Sequence, residues 1–142
     1  MAAPAGYREI EHTADWELEV WAQDLPGLLE QAARGMQHLA GLRLQAAPAR
    51  LLELQLTAAD AESLLVTFLG ELLFTSEQHQ VGFSDFDLHV SPLPEDAGLE
   101  LHASLRGQPL LALDKEIKAV TYHRLEVQST PAGLCTHIVF DV

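Results

Sequence analysis

Alternating apolar and polar positions mark the ends of this chain, while helical spacing marks two stretches between them. Trp16, Leu18 and Val20 alternate with Glu17 and Glu19, the period-2 pattern of a half-buried strand. Residues 7–11 are placed as its partner across the turn His12-Thr13-Ala14-Asp15. Asp24 is suited to cap a helix in which Leu28, Leu29, Ala32, Ala33, Met36, Leu39 and Ala40 recur at helical spacing, with Gly41 as its stop. Leu52, Leu54 and Leu56 alternate again, which predicts a strand. Asp60 opens a second helix, where Leu64, Phe68 and Leu72 form one stripe and Leu65, Leu69 and Leu73 a second beside it, so this helix is expected to be well buried. Strands are then predicted over 82–90, 99–105, 120–127 and 134–142, with turns at 92–98 and 130–133, and the last two strands are expected to pair as a hairpin. Two helices packed on a mainly antiparallel sheet make an α+β domain, expected to span residues 1–142 without repeat or linker.

Composition narrows what such a domain does. A length of 142 residues suffices for one hydrophobic core without disulfides. Cys135 is the only cysteine, which rules out an internal disulfide and thiolate zinc clusters and fits a reducing compartment. The opening MAAPAGYREIEH lacks the basic start and apolar run of a secretory signal. The most apolar stretch, 64–74, is far shorter than the roughly 20 residues of a membrane span. A soluble cytoplasmic protein is expected. The net charge of −13 disfavours tight binding to nucleic acid or anionic lipid. It favours divalent cations or a basic protein surface, and it also simply confers solubility.

Chemistry has few candidates. Asp15 in the HTAD turn can offer an oxygen ligand or, more plainly, close an Asx-type turn on nearby amides. If Val142 is the natural end, Asp141 and Val142 place a side-chain carboxylate beside a main-chain one, oxygen donors suited to a hard cation. Terminal residues are also often frayed and solvated. The seven histidines show no zinc-ligand spacing, and Cys135 and His137, on one face of a strand, lack the surroundings of a nucleophile pair. No phosphate-binding glycine loop or nucleophile elbow appears. In Glu116-Ile117-Lys118-Ala119-Val120-Thr121-Tyr122-His123, an extended chain sets Lys118, Val120 and Tyr122 on one face. Glu116, Lys118 and His123 then form either a polar surface for a partner or solvated charges at a strand end.

Taken together, HTAD near the start, DAESLLVTFLGELLF in the middle, EIKAVTYH near four-fifths of the length and the final Asp141-Val142 strongly resemble the archease family over essentially the whole chain. The resemblance implies a fold in which one strand-helix-strand-strand module is inserted into another. It also implies an accessory protein, not itself an enzyme, of the RNA-splicing ligase RtcB, which joins RNA ends in tRNA splicing or repair using GTP and a divalent metal. Its expected role is to promote guanylylation of the ligase and multiple turnover. The family's metal site, seen with calcium, maps here onto Asp15, Asp141 and Val142. His12, Glu116, Lys118 and His123 are the expected partner-binding residues. Two rival functions are a chaperone-like modulator of other RNA-processing enzymes, such as a tRNA methyltransferase, and a metal-dependent hydrolase using Asp15 and Asp141 as ligands and His12 as base.

Overall fold

The structure is a computed structural model that describes residues 4–10 and 16–142. Strands β1 (Gly6–Ile10) and β2 (Trp16–Ala22) are followed by helix α1 (Leu25–Leu39), a short β3 (Arg43–Leu44) and β4 (Arg50–Ala58). Helix α2 (Ala61–His79) leads into β5 (Val81–Pro92) and β6 (Leu99–Ala112), and the chain finishes through β7 (Ala119–Val120), β8 (Gln128–Thr130) and β9 (Gly133–Asp141).

Both helices start where their caps dictate. Asp24 Oδ1 accepts from Gly27 N at 2.8 Å, and Asp60 Oδ1 accepts from Ser63 N at 2.7 Å. Each bond satisfies an amide the helix itself cannot. That amide bond, with a contribution from the Ser63 side chain, holds the Asp60 carboxyl below its usual range. A lowered folded-state value stabilises the fold above the ordinary carboxylate pKa, and this contribution disappears as pH falls through the folded value. The difference in Tm between the native chain and Asp60→Ala is therefore expected to be full at neutral pH and to shrink steadily below about pH 4. A difference constant from pH 7 to pH 2 would show that the charge of the cap contributes nothing.

Two antiparallel sheets form from different parts of the chain. The first, ordered β1-β2-β9-β7, is built from the two ends. Cys135 faces Trp21 on one side and Gln128 on the other, while Phe140 faces Trp16 and Val120, so β7 and β8 lie end to end along one edge of β9. The second comes from the middle, with β6 central between β4 and β5: Gly107 pairs with Arg50 and with Phe83. The unit β4-α2-β5-β6 is thus a strand-helix-strand-strand module inserted into an outer one.

One apolar cluster joins the parts. Leu18 and Val20 of β2, Leu28, Leu29 and Ala32 of α1, Phe68 and Leu69 of α2, Leu101 and Leu105 of β6 and Ile138 and Phe140 of β9 are all essentially inaccessible. The two stripes of α2 are buried as their spacing predicts, except for Leu73, which is half-buried. Gln37 adds a polar link: its side chain donates to Phe83 O at 2.9 Å and accepts from Phe83 N at 2.8 Å, imitating a neighbouring strand. At Gly133, φ is +136°, and a Cβ would collide with the Ala22 carbonyl oxygen, so β9 enters beside the end of β2 only through glycine. Among the described residues no helix is long and apolar enough to cross a membrane.

Two predicted strands change, and with them the hairpin. The strand expected over 99–105 runs on to Ala112, because β5 and β3 continue to pair with it; Pro109 contributes its carbonyl, which accepts from Gln45 N at 2.8 Å. The strand expected over 120–127 is only the two residues of β7. Thr121 Oγ1 bonds Val139 O at 3.0 Å and accepts from His123 N, and the chain turns through Arg124 at φ 53°, with Leu125 N donating to Tyr122 O. This local hydroxyl competes with the ladder and wins. The expected hairpin is consequently made by β8 and β9, with Thr130 facing Gly133.

Candidate functional site

Register alone draws the singled-out segments together. In β2 and β9 the antiparallel pairing sets Trp16, the first residue after HTAD, opposite Phe140, the residue before Asp141. On the other edge β7 sets Ala119 opposite Asp141, and Lys118 N donates to Asp141 O at 2.8 Å. Val139 O receives both Thr121 N and Thr121 Oγ1 at 3.0 Å, which fixes the bend of the EIKAVTYH segment against β9. Phe140, fully buried, anchors the end of the strand from below. One end of the first sheet therefore holds the start of β2, the EIKAVTYH segment and Asp141-Val142 side by side.

The side chains at this end divide by function. Asp141 is exposed, and its carboxylate makes no hydrogen bond or ion pair among the described residues; Val142 is half-buried and packs on the core. Ile117 is buried and pins its segment, while Glu116, Lys118 and His123 are exposed. In a chain of net charge −13, residues 115–124 are locally cationic: Lys115, Lys118 and Arg124 outnumber the carboxylate of Glu116, while the neighbouring Asp114 pairs with Arg43. Main-chain amides of Asp114 and Lys115 both donate to Ala40 O, at 2.9 and 3.0 Å, tying the stretch to the end of α1. His12 and Asp15 lie outside the described residues. No group of three or more His, Cys, Asp or Glu side chains able to hold a metal converges among the described residues.

Two features escaped the sequence reading. On the outer face of the first sheet the His137 ring lies between two carboxylates, Nδ1 at 3.0 Å from Glu17 Oε2 and Nε2 at 3.3 Å from Glu19 Oε2, and Glu19 also pairs with Arg8 at 3.1 Å. The alternation of Glu17 and Glu19 placed them on one face, but the pairing register that brings His137 to them is not written in either strand. His137 is exposed and Cys135 half-buried, a surface charge cluster and a packing thiol. The second feature is a cleft of about 730 Å³ between α2 and residues 113–120, lined by Glu116, Ile117, Lys118, Ala119 and Val120 among others.

Fold and site define a class: an α+β protein of two interleaved strand-helix-strand-strand modules, whose chain ends meet at an exposed carboxylate. Residues 7–142 match the model of the Archease protein family. The chain is 31% identical to a protein archease of Methanopyrus kandleri, over 96% of its length and 99% of the relative's. It is 32% identical to a protein archease of Methanosarcina mazei, over 96% and 95%. Among solved structures, a Methanobacterium thermoautotrophicum protein superposes with a TM-score of 0.74 at 26% identity, covering 96% of this chain and 99% of that one. A Thermotoga maritima protein described as an archease and possible chaperone superposes at 0.68, with 23% identity and 95% and 96% coverage. The chain belongs to the archease family.

Proposed function

We propose that this chain is an accessory protein that activates the RNA-splicing ligase RtcB, promoting its guanylylation and its multiple turnover, and is not itself the catalyst. The observation that carries the reading is the convergence at Phe140: the residue that follows HTAD on one side, the EIKAVTYH segment on the other and Asp141 at the tip. Asp141, Val142 and the carboxylate of Asp15 would hold a calcium ion or another hard divalent cation. The donors suit such an ion, since Asp141 is exposed with no side-chain partner among the described residues and the set consists of oxygens. A cation held there would supply positive charge for an anionic group of the ligase site. The main-chain amide of Lys118 donates to Asp141 O, Glu116 and His123 are exposed in the same segment, and with His12 they are the residues proposed to meet the partner. Main-chain pairing of Ala119 with Asp141 and of Lys118 N with Asp141 O fixes the backbone that carries the Asp141 carboxylate.

Reconstitution tests this reading. Purified RtcB from the same organism, GTP, metal and RNA ends are incubated with and without the chain, and joined ends per ligase are counted. Several turnovers with the chain and about one without it are expected; equal counts would overturn the reading. The description of the Thermotoga maritima relative as a possible chaperone favours the alternative of a general modulator of RNA-processing enzymes, for instance a tRNA methyltransferase. Co-purification from native cells separates the two by which enzyme is retained.

A further inference from the structure

Helix α2 carries an unexplained glycine. Gly70 sits near the middle of a 19-residue helix, is exposed, and a Cβ built there would meet nothing within 4 Å. Glycine at such a position weakens a helix relative to alanine, and no contact among the described residues gives that weakness a purpose. Val66 and Phe74, one turn to either side, lie on the same stripe, and Phe74 is 59% exposed. All three line the 730 Å³ cleft. Across it stands Leu113, 42% exposed. An apolar trough with a backbone-deep floor therefore runs along α2.

The opposite rim is charged. Lys115 and Lys118, the two lysines of the whole chain, both line the cleft, and neither forms an ion pair among the described residues. Glu116 lies between them in sequence, and Glu77 marks the α2 side. A chain with 21 Asp and Glu residues has thus placed two ammonium groups, without ion pairs among the described residues, beside this apolar trough.

We propose that this cleft receives an amphipathic helix of the partner ligase, whose apolar side chains cover Val66, Gly70, Phe74 and Leu113 and whose acidic residue faces Lys115 and Lys118. The inference rests on the accessory reading above and adds where the partner is gripped. The stripe Val66, Gly70, Phe74 spans just over two turns, about 12 Å, which matches the anchors of a helix laid in a groove. Glycine at its centre lets a second backbone approach closely. Continuity supports the choice: Lys118, Ala119 and Val120 line the cleft, while the same segment pairs with the tip that carries Asp141. Docking in the cleft therefore sets the distance between the partner and that carboxylate.

The glycine supplies the test. Gly70→Ala is expected to raise Tm by about 1–4 °C, and Gly70→Trp to leave the chain folded, because the added side chain enters open space. In calorimetric titration against RtcB, Gly70→Trp and Phe74→Ser should each weaken binding by roughly tenfold or more. Lys115→Glu should weaken it in a salt-dependent way. At saturating concentrations of Gly70→Trp, ligase turnover should recover, since Asp141 is untouched. Amides of 66–77 and 113–120 should exchange more slowly in the native complex. Equal affinity of folded Gly70→Trp and native chain would overturn the cleft proposal while leaving the accessory reading standing. Absence of binding by the native chain would sink both. A concentration-dependent dimer that Gly70→Trp converts to monomer would assign the face to a second copy and overturn the proposal.

Discussion

Asp141→Asn is expected to reduce ligase turnover to the level of the ligase alone while leaving the fold intact. The strand bond at this position is made by the main-chain oxygen of Asp141 to Lys118 N, and a carboxamide does not disturb it. The side chain is exposed and unpartnered among the described residues, so the change in stability should stay within about 0.5 kcal/mol. On the proposed cation-binding reading, the lost quantity is one negative charge, and affinity for a hard cation follows ligand charge. Calcium affinity, measured by calorimetry, should drop by roughly tenfold or more. Asp15→Asn should behave in the same way. A folded Asp141→Asn chain that still binds calcium and supports full turnover would remove Asp141 from the site.

Phe140→Ala should give the opposite result, a loss of the fold's stability with every site residue still present. The ring is fully buried in the common core, and deleting a buried aromatic side chain costs about 3–5 kcal/mol in transfer and cavity energy. Whole domains are stable by only about 5–15 kcal/mol, so the midpoint in urea should fall markedly. Because Phe140 pairs with Trp16 and Val120 at once, the cavity opens directly under the convergence of the three segments. Phe140→Leu, which keeps most of the volume, should recover much of the loss. A cost under about 1 kcal/mol for the alanine variant would mean that the strand end collapses around the gap and that the anchoring role is overstated.

Periodicity carried most of the fold. The caps Asp24 and Asp60, the stop at Gly41, the stripes of α2 and the alternation in β2 all report local backbone geometry, which each residue's own neighbours dictate. The end of the EIKAVTYH segment was misread as strand, because the competing bond of Thr121 to Val139 is a long-range contact and leaves no period in the sequence. The same limit applies to the site. Resemblance assigned Asp15, Asp141 and Val142, whereas composition and spacing left each with a plainer role; the described residues place Asp141 opposite Ala119, one residue beyond the Trp16–Phe140 pair, and do not include Asp15. The cleft was illegible for a related reason: Gly70 in a helical pattern reads as a blemish until its surroundings are known to be empty.

Strand β9 also imposes an order in time. The second sheet is made of neighbours in sequence and can close while the chain is still being synthesised, whereas the contact of Glu17 with His137 joins residues 120 apart. At a synthesis rate of about 5–20 residues per second, β2 waits on the order of ten seconds for the strand that covers its edge. During that interval the backbone edge of β2 that β9 covers has no strand partner, and Glu17 and Glu19 are charges of the kind that discourage pairing with other chains. Those carboxylates later receive His137, so one pair of side chains guards the nascent strand and then secures the finished one. A chain stalled before β9 would lack the strand that carries Asp141 and pairs with β2 and β7, so the end of the first sheet where these segments meet could not assemble.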